Sequence, residues 1–173
     1  YVHFELVHFG TSTIRGRFGP LQGEAAMDRE AGTGRVQLRI ATTQVSTGAP
    51  MFDKRLREAD MLASSEFPEA FFVAERFEFD GTALREVRGE FTLRGVSRPL
   101  ALRATRFNCY TSPVYKREVC GGDFVADFDR SEFGIGVGLP LIADRVRDWS
   151  GGLLRDDVSL LAVERVSEAA GSS

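Results

Sequence analysis

Tryptophan, histidine and cysteine are scarce in this 173-residue sequence, with one, two and two copies respectively. A structural zinc site takes about four nitrogen or sulfur ligands. The chain offers two thiols, Cys109 and Cys120, plus His3 and His8 far from them in sequence, so no metal is expected. Also absent are GxSxG, HExxH and P-loop motifs, and any GxGxxG that follows a strand and opens a helix. The GIGVG at 134–138 leads into no helical pattern and reads as an extended turn. No catalytic residue is assigned, and neither enzyme activity nor a cofactor is expected. No apolar run approaches 18 residues, which excludes a membrane-spanning helix and predicts a soluble protein. Charge of one sign is lacking as well: 22 Lys and Arg against 25 Asp and Glu leave −3. That balance argues against a general nucleic-acid binder, which needs many unopposed cations to displace counterions.

What is abundant is phenylalanine. Fourteen Phe against three Tyr and one Trp make an aromatic surface almost without polar handles, so the rings belong inside. They either fill a solid core or line a cavity that something else fills. With 43% hydrophobic and 27% charged residues the chain has ordinary globular composition, and roughly 70% of its unfolded surface can be buried at this length. One domain over 1–166 is expected, followed by a disordered tail at 167–173, SEAAGSS.

The dominant pattern has a period of two. Phe4, Leu6 and His8 share a face of the opening run, and a second strand is read over Leu21 to Asp28 after glycines at 10, 16 and 19. Val36, Leu38 and Ile40 alternate with Gln37 and Arg39. In EAFFVAERFEFD, Phe72 and Ala74 have one parity and Phe71, Val73, Phe77 and Phe79 the other, so both faces are apolar or a bulge switches the register. Glu75, Arg76 and Glu78 there are expected to pair across strands. Further runs put Phe91 and Leu93 in phase, then Leu100 with Leu102, then Phe124 with Phe128, and a last strand over Val158 to Val166. Residues 139–155 read as a long irregular excursion. The one helical signal is FDKRLREADML, with Leu56, Ala59 and Leu62 at three-residue steps and Asp53 near its start. Its charges, Asp53, Arg55, Arg57, Glu58 and Asp60, suit a solvated face or the flank of a cavity mouth. About eight strands and one helix point to an all-β sandwich or barrel. At eight strands a barrel interior is either just filled or holds one small ligand.

Cys109 and Cys120 flank a stretch with a proline and two glycines after it, read as a loop with a cysteine at each end. A bridge closing it would restrict the unfolded chain by about 3 kcal/mol on the chain-entropy model. The alternative is two separately buried thiols. A bridge implies an oxidising compartment, hence periplasm or secretion. No signal peptide stands in the sequence, and any cleaved export segment is expected ahead of Tyr1.

Three stretches taken together, FELVHFGTSTIRGRF at 4–18, GEFTLRGVSRPL at 89–100 and DRSEFGIG at 129–136, resemble the YceI-like family of lipocalin-like bacterial periplasmic proteins. Thr47–Gly48 and EFPEAFF at 66–72 fall in the family's order. Phe4, His8, Phe18 and Phe72 match family aromatic and histidine positions. Gly89, Gly95 and Pro99 match its hairpin, and Arg130, Phe133 and Gly134 match its RxxFG element. Where the family has Arg-Asp followed by His-Leu, this chain has Phe52, Asp53, Arg55 and Leu56, and residues 148–156 look like an insertion.

The resemblance implies an extended eight-stranded antiparallel lipocalin-like barrel enclosing a polyisoprenoid, an isoprenoid quinone or a similar lipid. Its expected lining combines Phe4, Leu6 and Phe18 with Val36, Leu38 and Ile40, then Phe72, Phe91 and Leu93, then Leu100, Leu102, Phe124 and Phe128. His8 is expected near a polar feature, as a hydrogen-bonded core residue or a contact to the guest's head. The expected partner is thus a hydrophobic small molecule in the bacterial periplasm, or outside the cell. Monomer and homodimer are both open. The rival readings are a scavenger of hydrophobic antibiotics or toxins, a lipid-modifying enzyme, and an interaction module with a solid core.

Overall fold

A computed structural model describes residues 1–8 and 11–137. Its strands form two antiparallel sheets. The smaller has the order β1 (Val2–His8), β2 (Ser12–Phe18) and β5 (Val45–Ser46). The larger runs β3 (Gln22–Asp28), β4 (Thr33–Ala41), β6 (Glu69–Asp80), β7 (Ala83–Leu93), β8 (Val96–Thr111) and β9 (Glu118–Val125). Among the described residues a single α-helix, α1 (Pro50–Leu56), sits beside β5. The antiparallel all-β architecture with one short helix is as expected, but the described residues carry nine strands. The final strand expected at 158–166, the excursion and the insertion before it, and the tail at 167–173 lie outside the described residues.

Four expectations are corrected. The stretch after His8, read as punctuation, is β2, paired with β1 from Val2↔Phe18 to His8↔Ser12. Gly16 does not break it. Instead, a Cβ there would come within 2.4 Å of the Phe4 ring, so the missing side chain is the space that ring occupies. The supposed cysteine loop is a hairpin: Cys109 faces Cys120 directly, and its connection is residues 112–117 alone. The strand expected over 123–130 ends at Val125, and Phe128 lies beyond it. The helix is also shorter than its pattern. It starts at Pro50, whose fixed φ suits a first turn, and stops at Leu56, after which turn bonds such as Leu62 N–H to Leu56 O carry the chain on.

Bulges decide which parity faces inward. In β6 the pairing with β7 skips Glu75, so Phe72 and Ala74 point inward before it and Phe77 and Phe79 after it. That is the register switch the double apolar pattern allowed. β7 skips Arg85 in the same way, and β8 skips Thr105. Across the outer face Glu75 meets Arg35 at 3.9 Å and Glu78 meets Arg88 at 2.8 Å. The β7–β8 turn is two residues, Arg94 and Gly95, at φ 53° and 72°. Both positive, they give the twist that matches flanking strands.

The six-stranded sheet is curled. Five strand spacings would separate β3 and β9 by about 24 Å if it were flat. Instead Arg29, just past β3, makes an ion pair of 2.5 Å with Glu118 at the start of β9.

Candidate functional site

Inside the curl the two ends differ. At the end nearest α1 the rings of Phe91, Phe128 and Phe133 meet pairwise at centroid distances of 5.3–5.5 Å, tilted or edge-on. Phe133 is 1% exposed and Phe72 2%. Ile40, Leu93, Val45 and Leu62 complete this packed region. Beneath it the buried Arg130 donates through Nη1 to the carbonyl oxygens of Ile135 (3.3 Å) and Val137 (2.9 Å). It thereby holds the turn at Gly134, whose φ of 74° suits glycine.

At the opposite end the sheet encloses a cavity of about 80 Å³. Val36 and Leu38 of β4, Phe77 of β6, Leu84 and Val87 of β7 and Leu102 of β8 form its floor. Its two sides are the sheet's outer strands. β3 contributes residues 23–27, which include Ala25 and Met27, and β9 contributes Cys120, Gly121, Gly122 and Phe124. Gly23, Glu24, Ala26 and Gly121 are exposed, and among the described residues no strand joins β3 to β9 beside the cavity. Small residues line its sides: Gly23, Ala25, Ala26, Gly121 and Gly122 bring little or no side chain to it. Cys109 and Cys120 form a disulfide whose Cys120 half is buried against this space.

Of the expected lining, Val36, Leu38, Leu102 and Phe124 meet at the cavity. Ile40, Phe72, Phe91 and Leu93 lie in the packed region, with Leu100 and Phe128 half-buried against it. Phe4 and Phe18 meet at a tilt across β1 and β2, ring centroids 5.3 Å apart, and also pack against the core. Leu6 and His8 are half-buried on β1, His8 opposite Ser12. Sequence reasoning missed Phe77, Leu84, Val87, Phe107 and the β3 edge. The only signal for Phe77 and Phe107 was a parity that reverses past Glu75 and Thr105, and a bulge position is not written in a hydrophobic pattern.

Displaced titrations lie away from the cavity. Hydrogen bonds from the Thr47 hydroxyl (2.7 Å) and backbone N–H (2.6 Å) hold Asp53 below the usual carboxylate range. The Arg55 guanidinium lowers Asp60 through a two-point contact of 2.5 and 2.7 Å, and is itself raised by it. Asp129 is lowered by bonds from Ser131. Asp53 therefore ties α1 to the connection before it, and the Arg55–Asp60 contact ties it to the turn after it. This corrects the option of a charged flank to a cavity mouth, because α1 lies beside β5 at the packed end. The cavity lining offers one carboxylate, Glu24, and a sulfur already bonded to another; everything else is apolar side chain or glycine backbone. Glu118 lies with the two cysteines within 4.8 Å, but those sulfurs are spent on each other. The arrangement offers a guest apolar contact and little else.

The family model for the YceI-like domain matches residues 1–160. Protein YceI of Escherichia coli O157:H7 is 34% identical over 105 residues, 60% of this chain and 54% of that protein. The alignment thus spans about half the length of the curated relative. Among solved structures, the Campylobacter jejuni YCEI protein superposes with a TM-score of 0.68 at 18% identity, covering 88% of this chain and 87% of that one. A polyisoprenoid binding domain from Saccharophagus degradans superposes with a TM-score of 0.54 at 14% identity, covering 84% and 87%.

Proposed function

The chain belongs to the YceI-like family, and from that membership we propose that it binds and carries, or sequesters, a long-chain hydrophobic ligand such as a polyisoprenoid or an isoprenoid quinone, without chemistry on it. The observation that supports this reading is the apolar cavity between β3 and β9, left open while the other end of the same sheet is filled. A structural neighbour is a polyisoprenoid binding domain, which agrees with a greasy guest.

Micromolar affinity from apolar contact alone takes about ten buried methylenes, more than this cavity encloses. Each buried methylene contributes roughly 0.8 kcal/mol, so ten supply about 8 kcal/mol before entropy is subtracted. Micromolar affinity corresponds to about that value. Pockets for drug-sized ligands usually span about 300–1,000 Å³, well above the cavity's 80 Å³. The cavity therefore seats one end of the guest, and the remaining chain leaves between the β3 and β9 edges. The disulfide fits an exported protein, and the periplasm is the proposed site of action.

Mass spectrometry of protein purified from bacteria tests the reading. A co-purified lipid, and a lipophilic dye displaced by long-chain isoprenoids, are the expected results. A folded protein with no saturable dye uptake sinks the carrier; a chemically altered product assigns an enzyme instead. Scavenging of hydrophobic antibiotics uses the same cavity, and competition between isoprenoid and antibiotic for the dye ranks the two.

A further inference from the structure

The β8–β9 hairpin tip exposes apolar side chains that the fold holds outward. Tyr110 is 56% exposed, Val114 79% and Tyr115 60%. Elsewhere among the described residues the exposed large apolar side chains are Tyr1 and the pairs Met51 with Phe52 and Phe71 with Val73; the β8–β9 tip carries three within six residues, which make a patch. The loop is well tied. Ser112, itself buried, accepts at its carbonyl from Lys116 N–H (2.8 Å) and at Oγ from Tyr115 N–H (3.2 Å), and its own N–H donates to Arg117 O (2.9 Å). Lys116 takes a left-handed φ of 51° to close this turn. Such bonds fix Val114 and Tyr115 at the apex.

Charge and position identify what such a tip fits. Lys116 and Arg117 flank it, the Arg117 guanidinium lying over the Tyr115 ring at 5.8 Å, although the chain as a whole carries −3. Tyrosines beside basic residues are what a bilayer interface accepts, the rings at headgroup level and the cations on anionic lipids. The tip also adjoins the cavity. Cys120, in its wall, lies two residues from the last paired rung, Thr111↔Glu118, or about 7 Å along the strand. The disulfide at Cys109–Cys120 joins tip and wall.

We propose that the β8–β9 tip docks on an anionic bilayer surface, through Tyr110, Val114 and Tyr115 with Lys116 and Arg117, and so brings the β3–β9 opening to the membrane for lipid exchange. The exchange part rests on the carrier reading above; the docking part stands on the exposed tip alone.

Co-sedimentation of the full chain with phosphatidylcholine vesicles, with and without phosphatidylglycerol, tests docking. Binding is expected to be stronger on the phosphatidylglycerol vesicles. Val114→Ser with Tyr115→Ser should lower it about tenfold or more on both kinds. Lys116→Gln with Arg117→Gln should lower it about 30-fold on the anionic vesicles only, at roughly 1 kcal/mol per cation. Unchanged urea denaturation midpoints of both variants show that they are folded. Absence of vesicle binding, or equal binding by parent and variants, overturns the proposal. So does a parent that instead forms a dimer in sedimentation velocity, with the Val114/Tyr115 variant a monomer, since the tip then serves a second copy. Vesicle binding without dye uptake leaves docking standing and removes the carrier, whereas dye uptake without vesicle binding does the reverse.

Discussion

Two ends of one curled sheet are built from the same strands with the same alternation, yet one is solid and the other hollow. β7 runs through both. Its Phe91 meets Phe128 and Phe133 at the solid end, while Leu84 and Val87 face the cavity at the other. The difference comes from what stands opposite. At the solid end a turn after β9 brings two more rings across, whereas at the hollow end β3 and β9 supply Gly23, Ala25, Gly121 and Gly122. Alternation sends side chains inward, and only their summed volume decides whether they meet.

The sharpest way to break this contrast is to cut a ring from each end. Phe133→Ala should lower unfolding free energy by about 3–5 kcal/mol, read by urea denaturation. Phe107→Ala, half-buried beside the cavity, should cost about 1–2 kcal/mol, because less surface returns to water. Equal losses would mean the ends are equally packed. Next in size, Cys109→Ser with Cys120→Ser frees the hairpin of the hollow end. A loop of this length predicts a loss of about 3 kcal/mol on the chain-entropy model, with the denaturation midpoint as the measure.

Filling the hollow end gives a smaller effect on stability and a clear one on binding. Ala25, opposite Val36 on β3, lines the cavity. Ala25→Phe should cut dye affinity at least about tenfold while stability falls by about 1–3 kcal/mol. Unaltered affinity would place the binding site elsewhere.

The smallest effect concerns pH and the solid end. Asp53 has its folded pKa below the ordinary carboxylate value. Its contribution is therefore present above the unfolded pKa of about 3.9 and disappears as pH falls through the folded value. Asp53→Asn should thus lower the urea midpoint at pH 7, and the gap to the parent should close as pH drops below about 4. A gap independent of pH would show that the charge on Asp53 adds nothing to folding.

Much of the fold was legible because strands report themselves locally. Val36, Leu38 and Ile40 are buried and Gln37 and Arg39 exposed, as their spacing says. β2 was hidden because its alternation is interrupted by Gly16, whose purpose is visible only with Phe4 above it. The cysteine hairpin was hidden by Pro113 and the glycines, which read as loop although Gly121 and Gly122 belong to β9. The candidate site was less legible. Its Phe77 and Phe107 sit past bulges, and its β3 side carries mostly small residues that no apolar pattern marks.

By itself the sequence determined that the chain forms amphipathic antiparallel strands, that most of its phenylalanines turn inward, though Phe52 and Phe71 stay exposed, and which family it resembles. Each of these follows from a period of two or from short motifs, which neighbouring residues set. Where the interior stays empty was decided by tertiary structure alone. A void belongs to residues on opposing walls, and these walls are brought together from positions 89 apart, as Arg29 and Glu118 are. Local side-chain direction carries no information about the volume that a distant strand leaves unfilled.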